Sequence, residues 1–238
     1  MIAFTSDIDW AHEEVIDDTL SIFEKYDTKC TFFSTHHSVR LAKSSRKLFE
    51  IGIHPNFNPL LGGDTSKMAN DVINELLEIH PEAQGVRSHS LTQNTKLLDL
   101  FVEKGLVYDA NIFMPYLTGL KPFTAWNGLI RIPYNWEDDV HWAYGHPFEA
   151  WNINLLDEGL VVFDFHPIHI YLNTENKYRY NEARKHFNDP EKLLGYRNKE
   201  IKGTRDLLIS LLEYIKQNKL EVKTLLEIAN QFKYTGKI

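Results

Sequence analysis

The stretch Met1-Ile2-Ala3-Phe4-Thr5-Ser6-Asp7-Ile8-Asp9-Trp10 decides how the fold is interpreted. It begins as a short apolar run and then turns polar, which predicts a buried strand with polar groups at its carboxyl end. Apolar residues between Glu13 and Tyr26 recur at roughly helical spacing, and Cys30-Thr31-Phe32-Phe33 is rich in strand-forming residues. We therefore predict a β-α-β opening, and in parallel α/β folds the chemistry lies at the carboxyl ends of the strands.

Short apolar runs and amphipathic segments alternate along the rest of the chain. The run Leu160-Val161-Val162-Phe163-Asp164-Phe165 is the best strand in the sequence, because it is apolar and contains β-branched and aromatic residues. This alternation predicts an α/β fold, either a parallel sheet or a barrel, in which polar clusters at the strand ends converge on one rim. Helices are predicted over Ser38–Glu50, Asp64–His80, Thr95–Lys104, Gly203–Gln217 and Lys223–Phe232, and further strands within 51–55, 86–89, 107–109 and 129–133.

The composition indicates one domain and excludes several function classes. With 238 residues and 43% hydrophobic content, the chain can build a single core over 1–238. The net charge of -7, with 26 scattered Lys and Arg residues, argues against a nucleic-acid partner. The lone Cys30 excludes an internal disulfide and a multi-cysteine zinc site. Because neither a signal peptide nor a membrane span is recognisable, a cytoplasmic location is expected.

A polar segment from 173 to 201 departs from the strand–helix pattern. It resembles a long insertion or a lid more than core. The sequence leaves open whether this segment closes over a substrate. It also leaves open whether the chain forms a homo-oligomer.

The first polar cluster contains Asp7 and Asp9, separated by one residue. Side chains two positions apart in an extended strand point the same way, so both carboxylates can face one cavity. Two carboxylates this close repel each other unless a cation lies between or beside them. An isolated Asp-x-Asp also fits a solvated turn or the start of a helix, so the motif alone is weak.

Three later clusters carry further candidate groups. His54 and Asn58 lie four residues apart, on one face if the segment turns helically, and both can bind a divalent metal; a surface loop is the alternative. Arg87 can hold a carboxylate in its ionised form or form a structural salt bridge. His166 and His169 follow the best strand, where either can protonate a leaving amine or be a core histidine.

In this order the motifs resemble those of the polysaccharide deacetylases, the NodB-like family, over about residues 1 to 170. The most specific elements are Thr5-Ser6-Asp7-Ile8-Asp9-Trp10, Gly52-Ile53-His54-Pro55 and Phe165-His166-Pro167. The chain is also similar to the smaller subgroup found with O-antigen and other surface-glycan genes. The resemblance implies an irregular (β/α) barrel of about seven parallel strands that holds a divalent metal, with Zn²⁺ expected.

The resemblance also implies the reaction and the roles of the motifs. The chain would remove an N-acetyl group from an amino sugar or surface-glycan precursor. Asp7 would be the catalytic base, and Arg87 would orient it and keep it ionised. Asp9 and His54 would bind the metal. His166 would be the general acid that protonates the departing amine.

The sequence departs from the family pattern at the third metal ligand. Where the family has a second metal-binding histidine this chain has Asn58, a weaker neutral oxygen donor. We assign Asn58 to the metal site on this basis. His89, two residues after Arg87, can supply a nitrogen instead; otherwise we expect it to contact the substrate.

The substrate side of the site is predicted from aromatic and polar residues near the motifs. Trp136, in the position of the family's fourth motif, is our first choice for stacking on a sugar, together with Trp10. Asp138 or Asp139 can bind a sugar hydroxyl. For a nucleotide-linked sugar, the candidate contacts are Arg131, Arg179 and Arg184. The full aromatic set is Trp10, Trp126, Tyr134, Trp136, Trp142, Tyr144 and Trp151.

Three other functions compete with this interpretation. A chain that lacks the second histidine can be a metal-free, sugar-binding pseudoenzyme. A related barrel can instead hydrolyse a small cyclic or linear amide. A metal-dependent phosphoesterase is more distant, because the sequence has no early His-x-His and no evident basic phosphate cradle.

Overall fold

The structure, a computed structural model, describes residues 1–149 and 154–235. The strands are β1 (Ile2–Asp7), β2 (Cys30–Ser34), β3 (Phe49–Ile53), β4 (Gly85–Val86), β5 (Tyr108–Asp109), β6 (Phe123–Thr124), β7 (Ile130–Arg131), β8 (Trp136–Glu137) and β9 (Val161–Phe165). The helices are α1 (Glu13–Lys25), α2 (Val39–Ala42), α3 (Asn58–Leu61), α4 (Ala69–Ile79), α5 (Thr95–Glu103), α6 (Asp138–Ala143), α7 (Pro167–Leu172), α8 (Lys177–Ala183), α9 (Pro190–Gly195), α10 (Thr204–Asn218) and α11 (Leu225–Thr235).

The strands within the described ranges form one sheet in the order β6-β7-β5-β4-β3-β2-β1-β9-β8. β6 pairs antiparallel with β7, and the other pairs are all parallel. Strand β1 lies between β2 and β9, where Thr5 is level with Thr31 on one side and Asp164 on the other. The predicted parallel sheet is therefore confirmed, with eight parallel strands where about seven were expected.

The connection between β7 and β8 requires this sheet to curl. The two strands lie near opposite ends of the strand order, which in a flat sheet would separate them by about 33 Å. Only residues 132–135 join them, and such a link spans at most about 17 Å. The sheet therefore bends round on itself, which confirms the predicted irregular α/β barrel.

The two faces of the sheet pack differently, as the two-residue period of a strand requires. Phe4 and Phe163 lie on the outer face and belong to a large cluster that the helices cover. Ala3 and Val162 lie on the inner face in a second cluster. Asp7 has the same parity as Ala3, and Asp164 the same as Val162. The inner face is therefore apolar at its lower end and carboxylate-bearing at the carboxyl end of the strands.

The predicted helices agree with the structure except for one. α1, α4, α5, α10 and α11 lie within or close to their predicted ranges. The prediction of a helix over Ser38–Glu50 is wrong, because only α2 forms and β3 already begins at Phe49. Phe49 pairs with Cys30 in the sheet, a long-range constraint that local helical periodicity does not contain. No helix in residues 1–149 or 154–235 has the length and apolarity needed to cross a membrane.

The polar segment from 173 to 201 is helical and packs onto the barrel. It contains α8, a 3₁₀ turn over Arg184–His186, and α9. Ala183 and Leu193 in this segment are fully buried in the outer core cluster. The segment is thus anchored by apolar contacts while most of its polar residues remain at the surface.

Gly52 in β3 has no room for a side chain. A Cβ atom there would lie 2.7 Å from the Phe33 ring and 2.9 Å from the Gly85 carbonyl oxygen. We expect Gly52→Ala to lower the free energy of unfolding by about 1–3 kcal/mol, because neither the buried ring nor the backbone can move freely. Urea denaturation measures this. Gly195→Ala is the control, since nothing lies near that Cβ position; equal stability of the two variants would contradict the prediction.

Candidate functional site

The barrel brings the polar clusters of the sequence to one rim. Asp7 ends β1, His54 follows β3, and Arg87 directly follows β4. His166 follows β9 and is the residue before α7. All four lie at the carboxyl ends of parallel strands, so residues spread over 160 positions of sequence share one site.

Arg87 is the fully buried centre of this rim. Its Nη1 donates to Asp7 Oδ1 at 3.0 Å, to Thr5 Oγ1 at 2.9 Å and to Asp164 Oδ1. Its Nε donates to the backbone oxygen of Ala110 at 3.1 Å. One guanidinium thus ties β1, β9 and the residue after β5 together by charge-assisted hydrogen bonds.

Two aromatic rings hold the guanidinium of Arg87 from its faces. Its central carbon lies 4.7 Å from the centroid of Phe33 and 4.3 Å from that of Tyr134. Stacking on rings together with in-plane hydrogen bonds is a geometry that arginine provides and lysine does not. Tyr134, one of the aromatic candidates, therefore supports Arg87 and is buried.

Burial is the main influence on Asp7. It raises the pKa of this carboxyl above the ordinary value, while Arg87 lowers the pKa and Asp164 raises it. Arg87 therefore contacts Asp7 and opposes this rise, but burial sets the direction of the pKa shift. A raised pKa brings this carboxylate nearer to the working range of a general base.

Asp9, His54 and His89 form a compact triangle beside Asp7. Asp9 Oδ1 lies 3.2 Å from His54 Nε2 and 3.2 Å from His89 Nδ1, and the two nitrogens are 3.3 Å apart. Burial raises the pKa of Asp9, but hydrogen bonds from His54 and His89 outweigh it, so the pKa lies well below the usual range. Each of the three residues directs one ligand atom to a common point.

The size of this triangle fits a divalent metal. Tetrahedral zinc with bonds of about 2.0–2.1 Å places its ligand atoms about 3.3 to 3.4 Å apart, close to the observed separations. Two imidazoles and one carboxylate are also ligands that zinc accepts, leaving a fourth position open. The donor set and its spacing therefore fit the metal that the sequence predicts.

The structure brings His89, and not Asn58, into the triangle with Asp9 and His54. The Asn58 side chain is exposed, and its amide nitrogen donates to Ser90 Oγ at 3.0 Å. His89, the alternative considered from the sequence, is half-buried beside both other ligands. The physical reason for the correction is that the Asn58 side chain is solvent-exposed and hydrogen-bonded to Ser90, whereas the His89 ring meets the Asp9 carboxylate.

Strained backbone flanks the triangle on two sides. Asp9 and Trp10 have φ values of 40° and 56°, and Ser90 and Leu91, which follow His89, have 56° and 53°. Non-glycine residues in this region cost about 1–3 kcal/mol each and concentrate at functional sites. The backbone thus has an unfavourable conformation at Asp9 and next to His89, two of the residues that form the triangle.

His166 lies beside the triangle, with a ring nitrogen within 4.8 Å of carboxylate oxygens of Asp7 and Asp164. Its Nδ1 donates to Asp138 Oδ1 at 2.7 Å, and its backbone N–H donates to Asp138 Oδ2 at 2.8 Å. Its Nε2 lies 3.8 Å from Asp9 Oδ2. Burial lowers the pKa of His166, but the carboxylates of Asp138, Asp9 and Asp164 together outweigh burial and raise the pKa well above the ordinary value. The bond to Asp138 holds the ring in one orientation, and the surrounding carboxylates favour its protonated form.

Two residues expected to contact substrate lie elsewhere. Asp138 is 0% exposed and has both oxygens on His166, so it orients that histidine and cannot reach a sugar hydroxyl. Trp136 is 3% exposed and packs on Phe163 and Phe165 in the outer core, because side chains on β8 alternate between faces. Trp126 is exposed and bonds to Asp99, while Trp151 lies outside the described residues.

A cavity of about 410 Å³ opens beside His166 and Asp9. Trp10, His89 and Asp139 line it, so Trp10 and His89 lie where a substrate could touch them. Asp139 also interacts with the buried carboxyl of Glu137, whose pKa it raises. Trp142 contributes an aromatic wall.

Sequence reasoning missed Asp164 as a site residue. It is 1% exposed and ion-paired with Arg87, and one of its oxygens has no partner among the described residues. The signal was present, because a charged residue in the centre of the most apolar strand requires a buried partner. Lys177 and Tyr180, which also line the cavity, carried no comparable signal.

Comparisons with known proteins agree with this fold. The family model for WbmS-like polysaccharide deacetylases matches residues 4–184. A structure from Bordetella bronchiseptica, described as a polysaccharide deacetylase involved in O-antigen biosynthesis, is 41% identical, covers 90% of each chain and has a TM-score of 0.84. No curated protein matches the chain.

Two more distant structures share the fold. The peptidoglycan deacetylase PdaC from Bacillus subtilis is 14% identical, with a TM-score of 0.55 over 99% of this chain and 92% of that one. A CE4 family pseudoenzyme from Bacillus anthracis is 14% identical, with a TM-score of 0.50 over 96% and 65%. The barrel is thus the NodB-like fold of these deacetylases.

Proposed function

The chain belongs to the family of WbmS-like polysaccharide deacetylases, and from this premise we propose that it is a metal-dependent N-deacetylase. Its substrate is an acetylated amino sugar, in a glycan or in a glycan precursor. The products are acetate and the free amine. The cytoplasmic location expected from the sequence stays a prediction.

One observation carries the proposal. The triangle of Asp9, His54 and His89 adjoins a buried carboxylate, Asp7, and a histidine, His166. Hydrolysis of an amide needs a base for the attacking water and an acid for the leaving nitrogen. Asp7 and His166 are groups of these two kinds beside the candidate metal site.

We assign the metal to Asp9, His54 and His89, with Zn²⁺ as the expected ion. When bound, such an ion supplies Lewis acidity that polarises the acetyl carbonyl and makes water a better nucleophile. His54 is held for this task by its burial and by the carboxylates of Asp7 and Asp9 at its Nε2. The rings of His89 and Trp10 pack edge to face, with their centroids 5.1 Å apart, which restricts the movement of His89.

Asp7 removes the proton from the attacking water as the new C–O bond forms. Its Oδ1 is fixed by Arg87, which leaves Oδ2, the oxygen 3.6 Å from His54 Nε2, to accept the proton. Its raised pKa favours proton uptake at this step. Arg87 does not touch the substrate and acts as a positioning residue.

His166 completes the reaction at the leaving nitrogen. Its Nδ1 is occupied by Asp138, so the proton on Nε2 is the one available for transfer. Donation of that proton as the C–N bond breaks releases the amine and acetate. Asp7 then carries the proton taken from water. When that proton passes to His166, or is exchanged with solvent, Asp7 is again ionised and His166 again protonated.

A metal-free, sugar-binding pseudoenzyme is the alternative from another class, since the fold also occurs in a CE4 family pseudoenzyme. The residues of this chain favour the enzyme, because a base, an acid and three ligand atoms are all present. Action on a small cyclic or linear amide is distinguished by product release from a panel of N-acetyl sugars and such amides. The pseudoenzyme is an outcome of the metal-content experiment below.

The third ligand is tested by metal content. We expect about one zinc per chain after chelator treatment, reloading and desalting, measured by elemental analysis. His89→Ala and His54→Ala should each lose most of it, whereas Asn58→Ala should keep it, because the Asn58 side chain is exposed and hydrogen-bonded to Ser90. Metal loss in Asn58→Ala with retention in His89→Ala would reverse our assignment. No metal in the unaltered chain would support the pseudoenzyme.

The proposed base is tested by activity and metal content together. We expect Asp7→Asn to lower acetate release from an N-acetyl sugar by about 10²–10⁴-fold while zinc stays bound, because the amide cannot accept the proton. Asp27→Asn, at an exposed position, is the matched control and should keep full activity. Equal loss of zinc in Asp7→Asn and His54→Ala would refute the separation of base from ligand.

The role of Asp138 is tested by the pH dependence of the rate. The general acid must be protonated, so activity falls as the pH rises through the pKa of His166. Asp138→Asn removes the charge that raises this pKa, so the basic limb of kcat/KM should shift to lower pH by about one to three units. If the basic limb does not shift, a group other than His166 determines the pKa of that limb.

A further inference from the structure

Helix α8 presents one face to the cavity next to His166. Lys177, Tyr180, Asn181 and Arg184 all line this cavity. They are spaced at i, i+3, i+4 and i+7, which is one side of a helix, and the 3₁₀ turn that begins at Arg184 continues that side. The same wall also includes the ring of Phe187.

The two cations on this face have no carboxylate partner. Neither Lys177 nor Arg184 makes an ion pair or a side-chain hydrogen bond within the described part of the chain, and both are exposed. Neighbouring cations that point elsewhere behave differently. Arg179 pairs with Glu175, Lys185 with Glu182 and Lys192 with Asp189.

Tyr180 places these cations beside the reacting groups. Its ring and the ring of His169 pack edge to face, with their centroids 4.8 Å apart. The rings of His169 and His166 pack in the same way, with their centroids 5.7 Å apart. Lys177 and Arg184 flank Tyr180, three and four positions away along the chain. The carboxylates of the cavity, Asp9 and Asp139, lie on the barrel side. The cavity is therefore acidic at the reacting end and cationic along α8.

The other two arginines considered for a nucleotide-linked sugar form ion pairs with carboxylates of the chain. Arg131 is ion-paired with Asp109 beside β5, and Arg179 with Glu175. Only Arg184 of those three lines the cavity. A sugar that binds with its acetamido group toward His166 would therefore place an anionic group near the α8 face.

We propose that the substrate is an acetamido sugar carrying an anionic group, which Lys177 and Arg184 bind while Tyr180 packs against the sugar. This inference rests on the proposed function for the position of the acetamido group. The anion can be a carboxylate on the sugar ring or a diphosphate that links the sugar to its carrier. Both offer the oxygen acceptors that an arginine and a lysine recognise.

Equilibrium binding tests the proposal without requiring turnover. Isothermal titration calorimetry on the metal-loaded protein compares three ligands: neutral N-acetylglucosamine, its 6-carboxylate analogue, and a uridine diphosphate N-acetylhexosamine. We expect at least one anionic ligand to bind about tenfold more tightly than the neutral sugar, with the advantage falling as salt is added. The anionic ligand that binds more tightly than the neutral sugar shows whether the site prefers a carboxylate or a diphosphate.

Variants of the α8 face decide whether these two residues are responsible. Lys177→Gln/Arg184→Gln should remove most of the anionic advantage while leaving the Kd of the neutral sugar unchanged. Lys185→Gln is the matched control, because Lys185 adjoins Arg184 but pairs with Glu182 and does not line the cavity. Equal affinity for neutral and anionic ligands, or an advantage that survives the double substitution, would overturn the proposal.

Acetate release from the same ligands separates this proposal from the function on which it rests. Anion-dependent binding without acetate release would retain the anionic site and reject the deacetylase. Acetate release without any anionic preference, in binding or in kcat/KM, would retain the deacetylase and reject the anionic site.

Discussion

The buried guanidinium of Arg87 is the interaction on which the site depends. In a flat sheet, β4 would lie about 14 Å from β1 and about 19 Å from β9, farther than an arginine side chain reaches. Arg87 nevertheless bonds to Asp7 on β1 and to Asp164 on β9. The curl of the barrel makes these contacts possible, and the contacts in turn fix the ends of three strands relative to one another.

Charge at the rim explains why further cations belong there. Asp7 and Asp164 share the single positive charge of Arg87 in a buried region, which leaves an excess of negative charge. Asp9 adds another carboxylate within reach of His54 and His89. Buried carboxylates are stable only when paired, protonated or bound to metal. The divalent ion that we propose for the triangle, together with a positive charge on His166, would balance this rim.

The sequence predicted the strand ends better than the connections between them. Asp7, His54, Arg87 and His166 meet because carboxyl ends of parallel strands share one edge, and that rule needs only strand positions. The third candidate ligand depended on the backbone after β4, where Ser90 and Leu91 adopt positive φ values next to His89. Such a local conformation is not specified by residue types.

Our proposals assign the chemistry to the barrel rim and the selectivity for substrate to α8. Residues at the rim are buried and hold one another, so a change at Arg87 or Asp138 disturbs several partners at once. Lys177 and Arg184 are exposed and make no ion pairs in the described structure, and surface substitutions of this kind usually alter stability by less than about 0.5 kcal/mol. The α8 face can therefore change its preferred ligand without loss of fold or of the reacting groups. Selectivity in this barrel is thus free to vary at α8, while the mechanism is constrained at the rim.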